Sequence, residues 1–69
     1  MRLSTRNVLQ GTVKRIVHGA VNSEITLEIA AGQEIVSIIT KSSAERLGLA
    51  EGKTAYALVK ASNVMLAVD

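Results

Sequence analysis

The sequence predicts an all-β domain: a five-stranded OB-type barrel with one short helix between strands 3 and 4. Three observations carry that expectation. Apolar, β-branched runs alternate with turn residues along nearly the whole chain, and a single helical signal interrupts them. That signal falls after three strand-like segments and before two more. Three strands, a helix and two strands is the order of an OB barrel, and the position of the helix favours it over a small SH3-like barrel.

The elements follow in order. Residues 7–17, "NVLQGTVKRIV", make the first strand, where Gly11 marks either a bulge or a close backbone approach. "HGAVN" (18–22) reads as a turn. "SEITLEIA" (23–30) alternates, with Ile25, Leu27 and Ile29 on one face and Glu24, Thr26 and Glu28 on the other, as an antiparallel strand with one buried face does. "AAGQ" (30–33) closes a hairpin into the third strand, "EIVSIIT" (34–40). In "SSAERLG" (42–48), Ser42 and Glu45 have the spacing of a capping box. That spacing makes Ser42 the cap and Ser43 the first helical residue, and Gly48 ends the helix. A turn at 51–52 leads into "KTAYALVK" (53–60), and the short "AS" link leads into the fifth strand, "NVMLAV" (63–68).

Composition narrows the function. The 69 residues make one domain, spanning 1–69, and 48% of them are hydrophobic, almost all aliphatic. A chain this short buries too small a fraction of its surface to be comfortably stable alone. Cysteine is absent, which excludes disulfides and thiolate metal sites, and the single histidine, His18, cannot build an imidazole metal site within one chain. Association between copies is the staple that remains, so a homo-oligomer is expected. The net charge of +2 suits a small anion better than a polyanion. No apolar run has the length of a membrane span and the N-terminus has no signal-peptide core, so a cytoplasmic protein without a membrane partner is expected. With a start at Met1 and no second domain, a fused role is not expected, unless the sequence is an excised fragment of a longer chain.

Catalysis has little to work with. No Ser–His–Asp/Glu or Cys–His set is available, and the glutamates are spread over strands and turns, so no enzyme is expected. Binding of single-stranded nucleic acid through an OB face needs aromatics on which bases stack, and Tyr56 is the one aromatic residue. A small oxyanion needs less: one or two cations and several N–H and O–H donors. Arg6 and Ser4 supply such groups at the N-terminus, Thr40 and Ser43 supply them around the helix start, and Lys60 supplies one at the end of the fourth strand. Lys14 and Lys53 read as ordinary solvated charges.

These residues fall within a wider likeness. "STRNVLQGTV" (4–13) is similar to the S-A-R-N-Q-L-x-G pattern that opens the molbindins, the small Mop/TOBE-type molybdate-binding domains also found in molybdate-responsive regulators. "GAVNSEITLEIAAG" (19–32), "SIITKSSAERLGLAEG" (37–52) and "ALVKASNVMLAV" (57–68) extend the resemblance over essentially the whole chain without gaps. Thr5 and Val8 depart from the usual Ala and Gln. The resemblance implies that molybdate or tungstate is bound between subunits, by Ser4, Arg6, Lys60 and the Ala61 backbone of one chain with Thr40 and Ser43 of its neighbour. It further implies a hexamer arranged as a trimer of dimers. A second class of oxyanion site would sit near the three-fold axis, at His18, Gly19, Val21, Asn22 and Ser23. The function implied is storage or homeostasis of the oxyanion. A regulatory oxyanion-sensing or protein-interaction module is the alternative, and a nucleic-acid-binding OB domain is less favoured.

Overall fold

The computed structural model describes residues 6–69. Four strands form one antiparallel sheet: β1 (Asn7–His18), β2 (Asn22–Ala30), β3 (Gln33–Thr40) and β4 (Thr54–Val59), in the spatial order β3-β2-β1-β4. The helix α1 (Lys41–Arg46) lies between β3 and β4 in the chain, in the expected gap. β1 serves two partners in succession. Its first half pairs β4, from Asn7↔Val59 to Thr12↔Thr54, and its second half pairs β2, from Thr12↔Glu28 to His18↔Ser23. This handover curls the sheet towards a half-barrel.

The curl explains Gly11. A Cβ there would meet the Glu28 carbonyl oxygen at 2.9 Å and the Leu27 Cβ at 3.3 Å, so the glycine is a close approach of β1 to β2. The irregularity in register is a separate feature. It lies between Val13 and Arg15, and the extra residue is Lys14.

The concave face of the sheet carries the core. Val13, Ile25, Leu27 and Ala44 are buried, with Ile16, Ile29, Ile35, Ile39, Leu49, Ala55 and Ala57 packed around them. The alternation expected for β2 holds on this face. Thr26, expected on the polar face, is nevertheless buried; its cross-strand partners are Arg15 and Val36.

The helix begins earlier than its capping box predicts. Thr40, not Ser42, is the cap: its Oγ1 accepts the Ser43 amide at 3.1 Å, and Ser43 stands third in the helix, not first. The cause lies outside the segment. The Lys41 amide donates to the Val21 carbonyl at 2.7 Å, and that bond fixes where the chain leaves β3. Gly48 ends the helix as expected, at φ 65°. Its amide donates to the Glu45 carbonyl and that of Leu49 to the Ala44 carbonyl, the bonding of a Schellman motif.

The expected fifth strand is outside the sheet. Residues Ala61–Asn63 form a 3-10 turn, closed by bonds from the Asn63 amide to the Lys60 carbonyl and from the Val64 amide to the Ala61 carbonyl. These bonds turn the chain off the edge of β4 before a hairpin can form. Beyond the turn, Met65 and Leu66 are 92% exposed and Val68 is 97% exposed. Between the edges of β3 and β4 runs an apolar groove of about 530 Å³, lined by Ile35, Ile39, Leu49, Ala55 and Ala57 among others.

Candidate functional site

The donors predicted from sequence fall into two groups at opposite ends of β1. Arg6 is exposed immediately before β1, and Lys60 is exposed immediately after β4. Because Asn7 pairs with Val59, these two cations flank the same end of the sheet. Neither is in an ion pair among the described residues. Ala61 follows as the first residue of the 3-10 turn. Ser4 lies outside the described residues.

Thr40 and Ser43 stand at the other end. Thr40 pairs with Asn22, one step beyond the row in which His18, Ser23 and Ile39 are aligned. The Thr40 hydroxyl donates to Ser43 Oγ at 2.7 Å while accepting the Ser43 amide. Ser43 Oγ therefore serves as an acceptor here and keeps its own proton for another partner. Ser42 Oγ lies 3.4 Å from Thr40 Oγ1. Lys41 is a cation that the sequence reading did not single out. The cap at Thr40 makes it the first helical residue, and it lines a shallow hollow with Ala20, Val21, Thr40, Ser42 and Glu45. The only signal for it was the sequence Thr-Lys-Ser itself, which the capping-box reading passed over.

The turn proposed for a second site adjoins this hollow, and its polar groups are mostly used internally. His18 Nδ1 and Ser23 Oγ share a hydrogen bond of 2.6 Å, and Ser23 is buried. The Gly19 amide donates to the Asn22 carbonyl. Val21 is 71% exposed beside Lys41.

β1 has 12 residues. At strand spacing the Arg6–Lys60 group and the Thr40–Ser43 group are therefore separated by roughly 35–40 Å of strand. One copy of the chain does not bring them together.

Two other lysines are exposed, as the solvated reading expects, and each makes a surface contact. Lys14 Nζ donates to Glu34 Oε2 at 2.6 Å and lies 3.8 Å from Glu28 Oε2. The hydrogen bond and charge of Glu34 raise the Lys14 pKa, and those of Lys14 lower the Glu34 pKa. Lys53 Nζ donates to the Gly48 carbonyl at 3.0 Å, at the C-terminal end of α1. Among the described residues no cluster of His, Asp or Glu is suited to a metal ion, and no helix is long and apolar enough to cross a membrane.

A curled β-sheet with one short helix, carrying exposed cations and hydroxyls at the two ends of β1, is the architecture of a small β-domain. The TOBE domain model matches residues 3–66. Molybdenum-pterin-binding protein 2 of Clostridium pasteurianum is 46% identical over 66 residues, covering 96% of this chain and 97% of that protein. Molybdenum-pterin-binding protein MopA of Rhodobacter capsulatus is 49% identical, and this chain spans 25% of its length. The fold is similar to that of a molybdate-binding protein from Sporomusa ovata, with a TM-score of 0.91 and 40% identity over 99% of this chain and all of that one. It is also similar to a molybdate-bound structure of the cytoplasmic molybdate-binding protein ModG, with a TM-score of 0.94 and 54% identity over the whole of this chain and 49% of that one. The chain belongs to the TOBE domain family and, within it, to the molybdenum-pterin-binding proteins.

Proposed function

We propose that this protein binds molybdate, or tungstate, reversibly and stores it in the cytoplasm, without chemistry on the ligand. The observation that carries this reading is likeness over full length. Relatives named for molybdenum-pterin binding and structures described as molybdate-binding align with the chain from end to end. The mechanism is charge-assisted hydrogen bonding. Arg6 and Lys60 neutralise the dianion, while the hydroxyls of Ser4, Thr40 and Ser43 and the Ala61 amide satisfy its oxygens. Molybdate and sulfate share charge and tetrahedral shape, so selection between them rests on cavity size.

The site is shared between copies in a homo-oligomer, a hexamer built as a trimer of dimers. The separation of the two donor groups along β1 supports this, since a tetrahedral anion is far too small to bridge them within one chain. The exposed apolar surface supports it as well. Val36, Ile38 and Leu58 are exposed in addition to the C-terminal segment, more than a monomer of this size ordinarily leaves in water. The turn at His18, Gly19, Val21, Asn22 and Ser23 is the second oxyanion site in this reading, with Lys41 added from its position next to Val21. A regulatory, oxyanion-sensing module is the second reading. It is favoured by the match to molybdenum transport protein ModE of Azotobacter vinelandii, of which this chain spans 26%.

Calorimetric titration with molybdate, tungstate and sulfate tests the ligand, with molybdate expected to bind and sulfate to bind far more weakly. Co-refolding Arg6→Ala with Ser43→Ala tests the sharing. Each alone should lose roughly tenfold to hundredfold in affinity, the worth of a hydrogen bond to a charged group. The mixture should regain a tight-binding fraction in interfaces that combine two intact halves. No recovery despite verified mixing would put all the ligands on one chain.

A further inference from the structure

We propose that Ser23 holds His18 in the tautomer that carries its hydrogen on Nε2, so that the outward side of the ring donates a hydrogen bond to the oxyanion of the second site. Ser23 is then a positioning residue and not a ligand. The tautomer stands on the fold alone, and the donor role rests on the molybdate reading above.

The sheet brings the two residues together. His18 ends β1, and its cross-strand partner is Ser23 near the start of β2, so both side chains leave the same face. His18 Nδ1 and Ser23 Oγ lie 2.6 Å apart. Their surroundings differ: Ser23 is 1% exposed, whereas His18 is an exposed residue.

That asymmetry places the proton. A hydroxyl carries one hydrogen, and when buried it must give that hydrogen to an acceptor. Among the described residues, His18 Nδ1 is the partner of Ser23 Oγ, and no buried side-chain polar atom lacks a partner. Donation from Nδ1 would leave the Ser23 hydrogen buried without an acceptor, which costs more than an ordinary hydrogen bond returns. Ser23 therefore donates and Nδ1 accepts. A neutral imidazole has one N–H, so it is on Nε2. Nε2 lies across the ring from the buried hydroxyl, towards solvent. In this state it serves a ligand that only accepts hydrogen bonds, and it offers no lone pair to a metal cation.

The surroundings give such a donor weight. The Gly19 amide is spent on the Asn22 carbonyl. On their face of the sheet His18 and Ser23 adjoin Ile16, Ile25 and Ile39, none of them charged, and Glu24 belongs to the opposite face with Val17 and Ile38. The charged groups of the adjoining hollow are Lys41 and Glu45, which are opposite in sign. An anion at this turn thus gains little from formal charge and depends on N–H donors.

His18 is the single histidine of the chain, so its imidazole nitrogens can be followed without overlap. At a pH where the ring is neutral, proton–nitrogen correlation spectra of the wild type should show Nε2 protonated and Nδ1 not. The opposite pattern would overturn the tautomer. In Ser23→Ala both nitrogen signals should move towards the averages of a free imidazole, and unchanged signals would remove Ser23 from the account. Saturating molybdate should shift the Nε2 signal of the wild type. In calorimetry His18→Ala should lose about tenfold or more in affinity at one class of site, while His18→Gln, which keeps an outward N–H, should retain most of it. A Nε2 signal indifferent to molybdate, with binding recorded by calorimetry, would overturn the donor role and leave the molybdate reading in place. A ring protonated on Nε2, with no heat of molybdate binding, would overturn that reading and leave the tautomer standing.

Discussion

The middle of the sheet and its two edges are built differently. Where β1 and β2 lie side by side, Val13, Ile25 and Leu27 are almost wholly buried and α1 closes over them through Ala44. At the edges, β3 and β4 face a groove, and Tyr56, Leu58, Val36 and Ile38 are substantially exposed. The centre is finished within one chain and the edges are not. The difference teaches that the chain closes its own small core, while the residues proposed to hold the oxyanion stand at opposite ends of β1.

The sharpest way to break this comparison is to remove equivalent side chains from the two regions. Leu27→Ala should cost about 2–5 kcal/mol in chemical denaturation, whatever the protein concentration, because its cavity lies inside one copy. In the proposed homo-oligomer, Leu66→Ala should lose stability mainly as a shift in concentration dependence, since Leu66 is 92% exposed in the single copy. If Leu66→Ala destabilises as much as Leu27→Ala and without dependence on concentration, the edges are completed within the chain.

A smaller effect sharpens the account of the helix start, where centre and edge meet. Thr40→Val keeps the shape but removes the hydroxyl that accepts the Ser43 amide, and should cost about 1 kcal/mol of thermal stability. Ser42→Ala should cost much less. Had the Ser42–Glu45 box been the cap, the order would be reversed.

The smallest expected effect is electrostatic and ties the centre to an edge, from Lys14 on β1 to Glu34 on β3. Glu34 is held below the ordinary carboxylate pKa by Lys14, so its contribution to stability is present above the unfolded-state value and lost as pH falls through the lower folded-state value. Lys14 is raised, so its share is present below the ordinary lysine pKa and lost as pH rises through the higher folded-state value. The stability difference between wild type and Glu34→Gln should be small and flat near neutrality and vanish at the acid end. A difference that grows with acidification would contradict the pairing. As an exposed pair it is also expected to weaken in high salt.

Much of this molecule could be read from local pattern. The alternation in "SEITLEIA" identified β2 and its buried face, the turn residues bounded β3, and Gly48 marked the end of the helix. Each of these rests on a periodicity or a single-residue preference that acts over a few positions, which is why the chain alone determined them.

The tertiary structure decided what depends on distant partners. Thr40 and Ser42 are both plausible caps, and the Val21 carbonyl selects Thr40 by fixing the Lys41 amide, a bond that no local motif encodes. Thr26 carries the polarity of a solvent face and is buried in the sheet all the same, which the alternation of β2 does not encode. "NVMLAV" has the composition of a strand, but pairing needs an edge within reach, and the turn at Ala61–Asn63 carries the segment away from the one beside it. The distance between Arg6 and Thr40 follows from the length of β1 and the register of both its neighbours, so the separation of the two groups proposed to hold the oxyanion could emerge only once the strands were in place.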